Sequence, residues 1–408
     1  MITSRAIKLR TACLLPVLAL LMSCATSPTG TRSPSEATRT TTSQEPSRGS
    51  AASSKTDTQQ RLINEANALS PLASTELGKR FLHATEALPA VGSRVAFRDD
   101  NTREFFSKAE ADALAPERRG KLAQVTLDEY RFYYTKYGSP LAYLRALEIA
   151  AANGLDSVAG ERILDFGYGS IGHLRLLASI GAHVVGVDPD SYLDALYSSA
   201  DQGAVPPARG VYRGAPGTIH LVHERWPTSA AAAARVGSFG PYRLIVSKNT
   251  LKRGYIKPER RANKNQLIDL GVDDATFLKA IHDNLVPGGM LLIYNLAPQQ
   301  NPADKPFLPH ADARSPFSPE QFSRAGFQVV AHNVNDDAFV RKMGSEMTKA
   351  SRRKNTCRKN RRPRKRSHRA LKSRFAACAG CSCGGSPIPG GAHCSGVSAQ
   401  ICCCCRAG

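Results

Sequence analysis

The sequence predicts an α/β protein whose centre, residues 154–345, is a doubly wound and largely parallel sheet, and three observations predict it. Short apolar runs of strand length alternate with stretches of helical periodicity from Arg162 onward, the order that parallel strands and crossover helices require. The first run, Arg162-Ile163-Leu164-Asp165, passes through a glycine turn, Phe166-Gly167-Tyr168-Gly169-Ser170-Ile171-Gly172, into a helical stretch from His173 to Ile180. The next run, Ala182-His183-Val184-Val185-Gly186-Val187-Asp188, ends in an acid. Glycines suit that turn because the backbone must bend tightly and approach a ligand closely.

Ahead of this centre the chain changes character three times. With 408 residues, 42% of them hydrophobic, there is enough material for one large core or two modest ones plus tails. A basic stretch with Arg5, Lys8 and Arg10 precedes an apolar run, Leu14 to Met22, that is too short to span a bilayer, and small residues then lead to Cys24. Leu21-Met22-Ser23-Cys24 resembles the lipobox of bacterial lipoproteins. That resemblance implies removal of the preceding peptide, lipidation of Cys24, a membrane anchor and a place in the bacterial cell envelope. An ordinary secretory signal or a misplaced start codon is the competing account, and a misassigned signal would leave the domain in the cytoplasm. Residues 25–59, rich in Ser, Thr and Pro, read as a flexible tether because they hold too little apolar surface to offset their ordering entropy.

Residues 60–153 read as a helical cap. Leu62, Ile63, Ala66 and Leu69 recur at helical spacing, and Phe105, Ala109, Ala113 and Leu114 suggest a second helix. The aromatic stretch Tyr130 to Tyr137, followed by Ser139-Pro140-Leu141-Ala142-Tyr143, has two readings: rings that pack the cap onto the next domain, or a tyrosine that covers a ligand.

Within the centre, Thr218 to Glu224 reads as a third strand and Tyr242 to Ser247 as a fourth. Leu285 to Asn295 reads as a helix end, a Pro-Gly-Gly turn and a fifth strand; a helix over 317–322 and a strand over 326–331 close the pattern. Asp165 is the discriminating residue. A carboxylate two positions before the first glycine would repel a bound pyrophosphate, whereas it attracts an ammonium group. Asp188, at the end of the second strand, is placed to accept hydrogen bonds from both hydroxyls of a ribose.

These residues resemble motifs I and II of the class I S-adenosylmethionine (SAM) methyltransferases, over about half the chain, with Ile171 where many members have a third glycine and Gly172 displaced by one. The resemblance implies a Rossmann-like methyltransferase domain with SAM as cofactor, held by Asp165, Gly167, Gly169, Gly172, Asp188, Glu224, Trp226 and Ser247. Glu224 and Trp226 stand in the loop where the family contacts adenine; Trp226, the chain's only tryptophan, reads equally as a core anchor.

The acceptor is less determined than the cofactor, because a fold does not name a substrate. Ser247-Lys248-Asn249-Thr250 follows the fourth strand, where amino-methylating relatives carry Asn or Asp, Pro-Pro and an aromatic, and this argues against that branch. Lys248, Asn249 and Tyr255 are the acceptor-side candidates, and Lys248, Lys252, Arg253 and Lys257 could together grip an anionic small molecule. The alternative is a solvated basic loop. His220, His223 and His282 are candidate bases only in that histidine as a residue type titrates in the useful range, and the preferred reading of each is structural or exposed. No catalytic residue and no resident metal is assigned.

The tail, residues 346–408, reads as disordered. Fourteen Lys and Arg and no acid fall after Ser351, which accounts for much of the net charge of +21 and leaves the body mildly basic. Nine of the 11 cysteines lie from Cys357 onward and the other two, Cys13 and Cys24, near the start, so the body has none to cross-link. A genuine basic tail would bind nucleic acid or anionic lipid, partners not otherwise expected. Cys378, Cys381, Cys383, His393 and Cys394 fit no standard zinc spacing. The preferred reading is an out-of-frame stretch. Two further accounts stand beside the methyltransferase: an envelope lipoprotein that uses the fold as a non-catalytic binding module, and a nicotinamide-dependent oxidoreductase, which Asp165 and the Pro-Gly-Gly strand entry disfavour.

Overall fold

In the computed structural model, residues 54–136, 138–360 and 398–407 are described; Cys24, the tether up to residue 53 and the cluster from Cys378 to Cys394 lie outside them. Helix α1 (Asp57–Leu69) opens where Thr56 and Gln59 form a reciprocal capping box, so ordered structure begins three residues inside the expected tether. It is followed by α2 (Glu76–His83).

The cap is not wholly helical. Strands β1 (Arg94–Arg98), β2 (Phe105–Phe106) and β3 (Ala123–Leu127) form a three-stranded antiparallel sheet in the order β2-β1-β3. Phe105, expected on a helix, sits on β2 beside the Phe97–Phe106 pair, because the Ser107–Glu110 capping box starts the helix only after it. That helix, α3 (Lys108–Asp112), is short, and α4 (Pro116–Arg119), α5 (Glu129–Tyr133) and α6 (Leu144–Ala152) complete the cap.

The main sheet is built from β4 (Arg162–Phe166), α7 (Gly172–Ser179), β5 (His183–Val187), α8 (Ser191–Leu196), β6 (Gly203–Val205), β7 (Gly217–Val222), α9 (Ala230–Phe239), β8 (Tyr242–Lys248), α10 (Arg253–Ile256), α11 (Asp274–Asp283), β9 (Leu285–Ala297), α12 (Pro319–Arg324), β10 (Phe327–Asn335), α13 (Asp337–Asn360) and β11 (Ser398–Arg406). Its order is β10-β11-β9-β8-β4-β5-β7-β6. Strands β4, β5, β7, β8 and β9 run parallel; β6 is antiparallel at one edge, and β11 is antiparallel between β9 and β10. This is a doubly wound Rossmann-like α/β fold, as expected, and its winding reverses between β4 and β8, where such sheets open a crevice at the carboxyl ends of their strands.

Alternation along the strands divides the core. Ile163, Val184, Ile219, Leu244 and Leu292 face the layer of α6 and α7, while Leu164, Val185, Ile245, Leu291 and Ile293 face α9, α11 and α12. The Pro-Gly-Gly segment lies within β9 itself: Leu285 pairs with Tyr242 and Met290 with Leu244, so the extra residues bulge, with Gly288 at φ +70°.

The tail also differs from the expectation of disorder. Helix α13 continues through residue 360, and β11 fills the sheet, with Cys402, Cys403 and Cys404 at most 2% exposed. Cys402 lies opposite Ile293, and Cys403 is flanked by Leu292 and Ala331. Small thiols on both faces suit a strand covered on both sides, which explains how a run of four cysteines forms a central strand.

Candidate functional site

Three loops meet at the crevice: the glycine turn after β4, the Asp188 turn after β5 and the Lys248–Lys252 segment after β8. Asp165, on the last turn-facing position of β4, is 1% exposed. Its Oδ2 accepts the Tyr143 hydroxyl at 2.6 Å and lies 2.5 Å from Nε2 of His173, the second residue of α7. Tyr143 and His173 stack with ring centroids 3.6 Å apart. Among the described residues Oδ1 of Asp165 has no partner, nor has Nδ1 of His173. A buried carboxylate oxygen without a donor is costly and marks the place where a donor group would be welcome.

The glycines of the turn have separate reasons. Gly167, at φ +79°, packs against Thr250, whose Oγ1 a built Cβ would meet at 2.1 Å; the first and third loops thus touch there. Gly169, at φ +59°, faces space, with no atom closer than 3.8 Å to a built Cβ. Gly172 lets α7 start against the Tyr133 carbonyl, 2.2 Å from a built Cβ, so the displaced glycine serves helix packing. Ile171, at the position of the missing third glycine, is fully buried, and its N–H donates to the Tyr197 hydroxyl at 3.0 Å.

Asp188 points back at the turn. Its Oδ2 accepts the Gly169 N–H at 3.3 Å and its Oδ1 the Asp190 N–H at 3.1 Å. Burial, with the neighbouring Asp190 and Asp165 charges, pushes this carboxyl up to about 6 against the two backbone donors.

The remaining expected cofactor residues divide. Glu224 is half-buried and accepts from Ser229 at 3.0 Å and Arg235 at 3.3 Å. Trp226 is 2% exposed, with its ring centre 6.2 Å from those of both Phe166 and Phe277, the surroundings of a core anchor. Ser247 is fully buried and caps the turn by accepting the Leu251 N–H at 3.3 Å, so it does not face a ligand.

On the acceptor side the basic quartet is not one grip. Lys252 is buried and donates to the Leu296 and His310 carbonyls, and burial together with the Lys248 charge lowers it to about 7. Arg253 pairs with Glu259 at 3.2 Å, and Lys257 pairs with Asp274. Lys248 alone of the four has no ion pair or hydrogen bond among the described residues; its Nζ lies 5.4 Å from the centre of the Tyr143 ring. Asn249, at φ +65°, accepts the Leu296 N–H at 2.7 Å and fixes the loop to β9, while Tyr255 lies half-buried beside Lys252.

The three candidate histidines take structural or partly exposed places. His220 stacks on Phe239 at 4.1 Å, and His282 abuts Gly326 and Phe327 at the entry of β9, the opposite end from the crevice. His223, just past β7, is half-buried 3.8 Å from Asp194 and its burial lowers it; among the described residues neither ring nitrogen has a hydrogen bond. Sequence reasoning missed His173 as a partner of Asp165. Its signal was present: in the first turn of a helix that packs back on β4, a histidine can reach the strand it follows.

No family profile and no curated protein matches the chain. Among solved structures, it is similar to the phosphoethanolamine N-methyltransferase 2 of Haemonchus contortus (11% identity, 77% of this chain and 68% of that one, TM-score 0.35). It is also similar to the cyclopropane synthase MmaA2 of Mycobacterium tuberculosis (12%, 68% and 88%, TM-score 0.34) and to an S-adenosylmethionine-dependent methyltransferase of Mesorhizobium loti (15%, 65% and 98%, TM-score 0.31). The functional reading rests on this chain's own residues.

Proposed function

We propose that this chain is a SAM-dependent methyltransferase acting on a small-molecule acceptor. The observation that carries the reading is the pair of acids at the crevice, Asp165 with an unpartnered buried oxygen and Asp188 set against the glycine turn. Asp165 would meet the ammonium of the methionine part, Asp188 the ribose hydroxyls, and Gly169 leaves room for the ligand backbone contacts. Bound SAM supplies a methyl group on a positively charged sulfur, ready for transfer to a nucleophile. The protein's own contribution is alignment and exclusion of water, the latter aided by Tyr143 lying over Asp165.

The test is calorimetric titration of SAM, and separately NADH, into the full chain and into Asp188→Ala. Micromolar SAM binding weakened by the substitution supports the proposal; NADH binding in its place supports the oxidoreductase. One observation favours a second reading, a non-catalytic binding module: Tyr143 and His173 already occupy Oδ2 of Asp165, so a ligand must find Oδ1 or displace them. A folded chain that binds neither cofactor supports that module. We extend the proposal to the amino terminus, where Cys24 is the lipid anchor to the bacterial envelope. Metabolic palmitate labelling that is lost in Cys24→Ala supports this, and label retained in the variant refutes it.

A further inference from the structure

Resting on the methyltransferase reading, we propose that Lys248 is the base that takes the acceptor's proton, and that the acceptor is a hydroxyl compound of alcohol or phenol type. The placement comes first. Lys248 is the last residue of β8, paired in register with Tyr294 of β9, and it stands at the reversal of the sheet between β4 and β8. The neighbouring cations are tied to carbonyls or carboxylates, whereas the Lys248 ammonium meets only the face of Tyr143. A half-buried amine with no hydrogen-bonded or ion-paired anion among the described residues is open to exchange of its proton.

The charged and titratable groups around it are few. Burial, the largest influence, acts against its protonated form, while Asp165 on β4 favours it; the neighbouring Lys252 is itself lowered by the Lys248 charge. Tyr143, whose ring faces the Lys248 ammonium, and His173 share the Asp165 carboxylate. Burial lowers Lys248 to about 8, within reach of neutral pH.

The step balances. The acceptor O–H bond breaks as the Lys248 N–H bond forms, and the electron pair left on oxygen makes the new bond to the methyl carbon. The carbon–sulfur bond breaks with its pair returning to sulfur, so the positive charge passes from the sulfonium to the Lys248 ammonium.

The experiment is competitive labelling of the full chain with trace acetic anhydride from pH 6 to 11, read peptide by peptide by mass spectrometry, alone and with saturating SAM or S-adenosylhomocysteine. The expected midpoint at Lys248 is near 8, against about 10.4 for an exposed lysine, which makes its free-amine fraction at pH 7.5 about 200-fold larger. Lys79 and Lys108, exposed on the cap, serve as internal references. SAM should lower the midpoint further than S-adenosylhomocysteine does, because only SAM carries the sulfonium charge. A midpoint near the ordinary lysine value, or equal shifts with both compounds, overturns the assignment. Failure of SAM to bind in the calorimeter, with the Lys248 midpoint still near 8, removes the cofactor reading and with it the base role, while leaving the described surroundings of Lys248 intact.

Discussion

Replacing Asp188 by Asn should make the protein more stable and less able to bind its cofactor. The Asp188 carboxyl stands at about 6 in the fold against about 3.9 in an unfolded chain, so its ionised form is disfavoured by two pK units. At about 1.36 kcal/mol per unit, this costs about 3 kcal/mol of stability at pH 7. The amide keeps one oxygen for the Gly169 or Asp190 N–H and loses the other bond, about 1 kcal/mol, leaving a net gain of about 2 kcal/mol. The sign follows from proton counting. Between the two values the folded state binds more protons than the unfolded one, so the wild type has this stability in full below about 3.9 and loses it as pH rises through about 6. Urea unfolding of both proteins at pH 4 to 8 reads the effect: the advantage of Asp188→Asn should grow to about pH 6 and then level off. A difference that does not change with pH, or a variant less stable than wild type at pH 7, would refute the reasoning. In the same samples, binding of S-adenosylhomocysteine should fall at least about 10-fold, because an amide accepts one hydroxyl where the carboxylate accepts two.

Three other perturbations follow from the same geometry. Gly167→Ala should cost about 2–4 kcal/mol, from the left-handed backbone and the clash with Thr250, and adding Thr250→Ala should recover only the packing part; denaturant midpoints of the single and double variants check this. His173→Ala leaves a buried carboxylate with one side-chain donor and should destabilise by about 3–5 kcal/mol, while Tyr143→Phe, which keeps the ring, should cost about 1–3 kcal/mol by the same assay. A stop codon at position 398 removes β11 and leaves β9 and β10 with facing rows of unpaired backbone groups; light scattering should show aggregation, and a monodisperse truncated protein would contradict the placement of that strand.

The sequence made the βαβ unit legible because its signals are local. An apolar run, glycines where the backbone needs positive φ, and an acid closing the next strand all lie within 27 residues, Arg162 to Asp188. The strands of the cap were hidden because β1, Arg-Val-Ala-Phe-Arg, is short and half-exposed, and β2 has two residues; neither carries a full alternation. Strand β11 was hidden for the opposite reason. Four identical thiols show no alternation at all, and only burial on both faces reveals what they do. Within the site, the places of Asp165 and Asp188 were legible because the ends of β4 and β5 fix them. The orientation of Trp226 and Ser247 was not legible because position along the chain does not tell which way a side chain turns, and both turn inward. Lys248 separates from its basic neighbours only once their partners, Glu259, Asp274 and the carbonyls of Leu296 and His310, are brought together by folding.

The most direct test of the central claim is hydrogen–deuterium exchange of the full chain with and without S-adenosylhomocysteine, because it locates the ligand as well as detecting it. The account predicts slowed exchange in peptides spanning 166–172, 188–191 and 247–252, the three loops of the crevice. Protection confined instead to the cleft of about 690 Å³ beside Arg94, Glu110 and Tyr197, or no protection at the glycine turn, would contradict it.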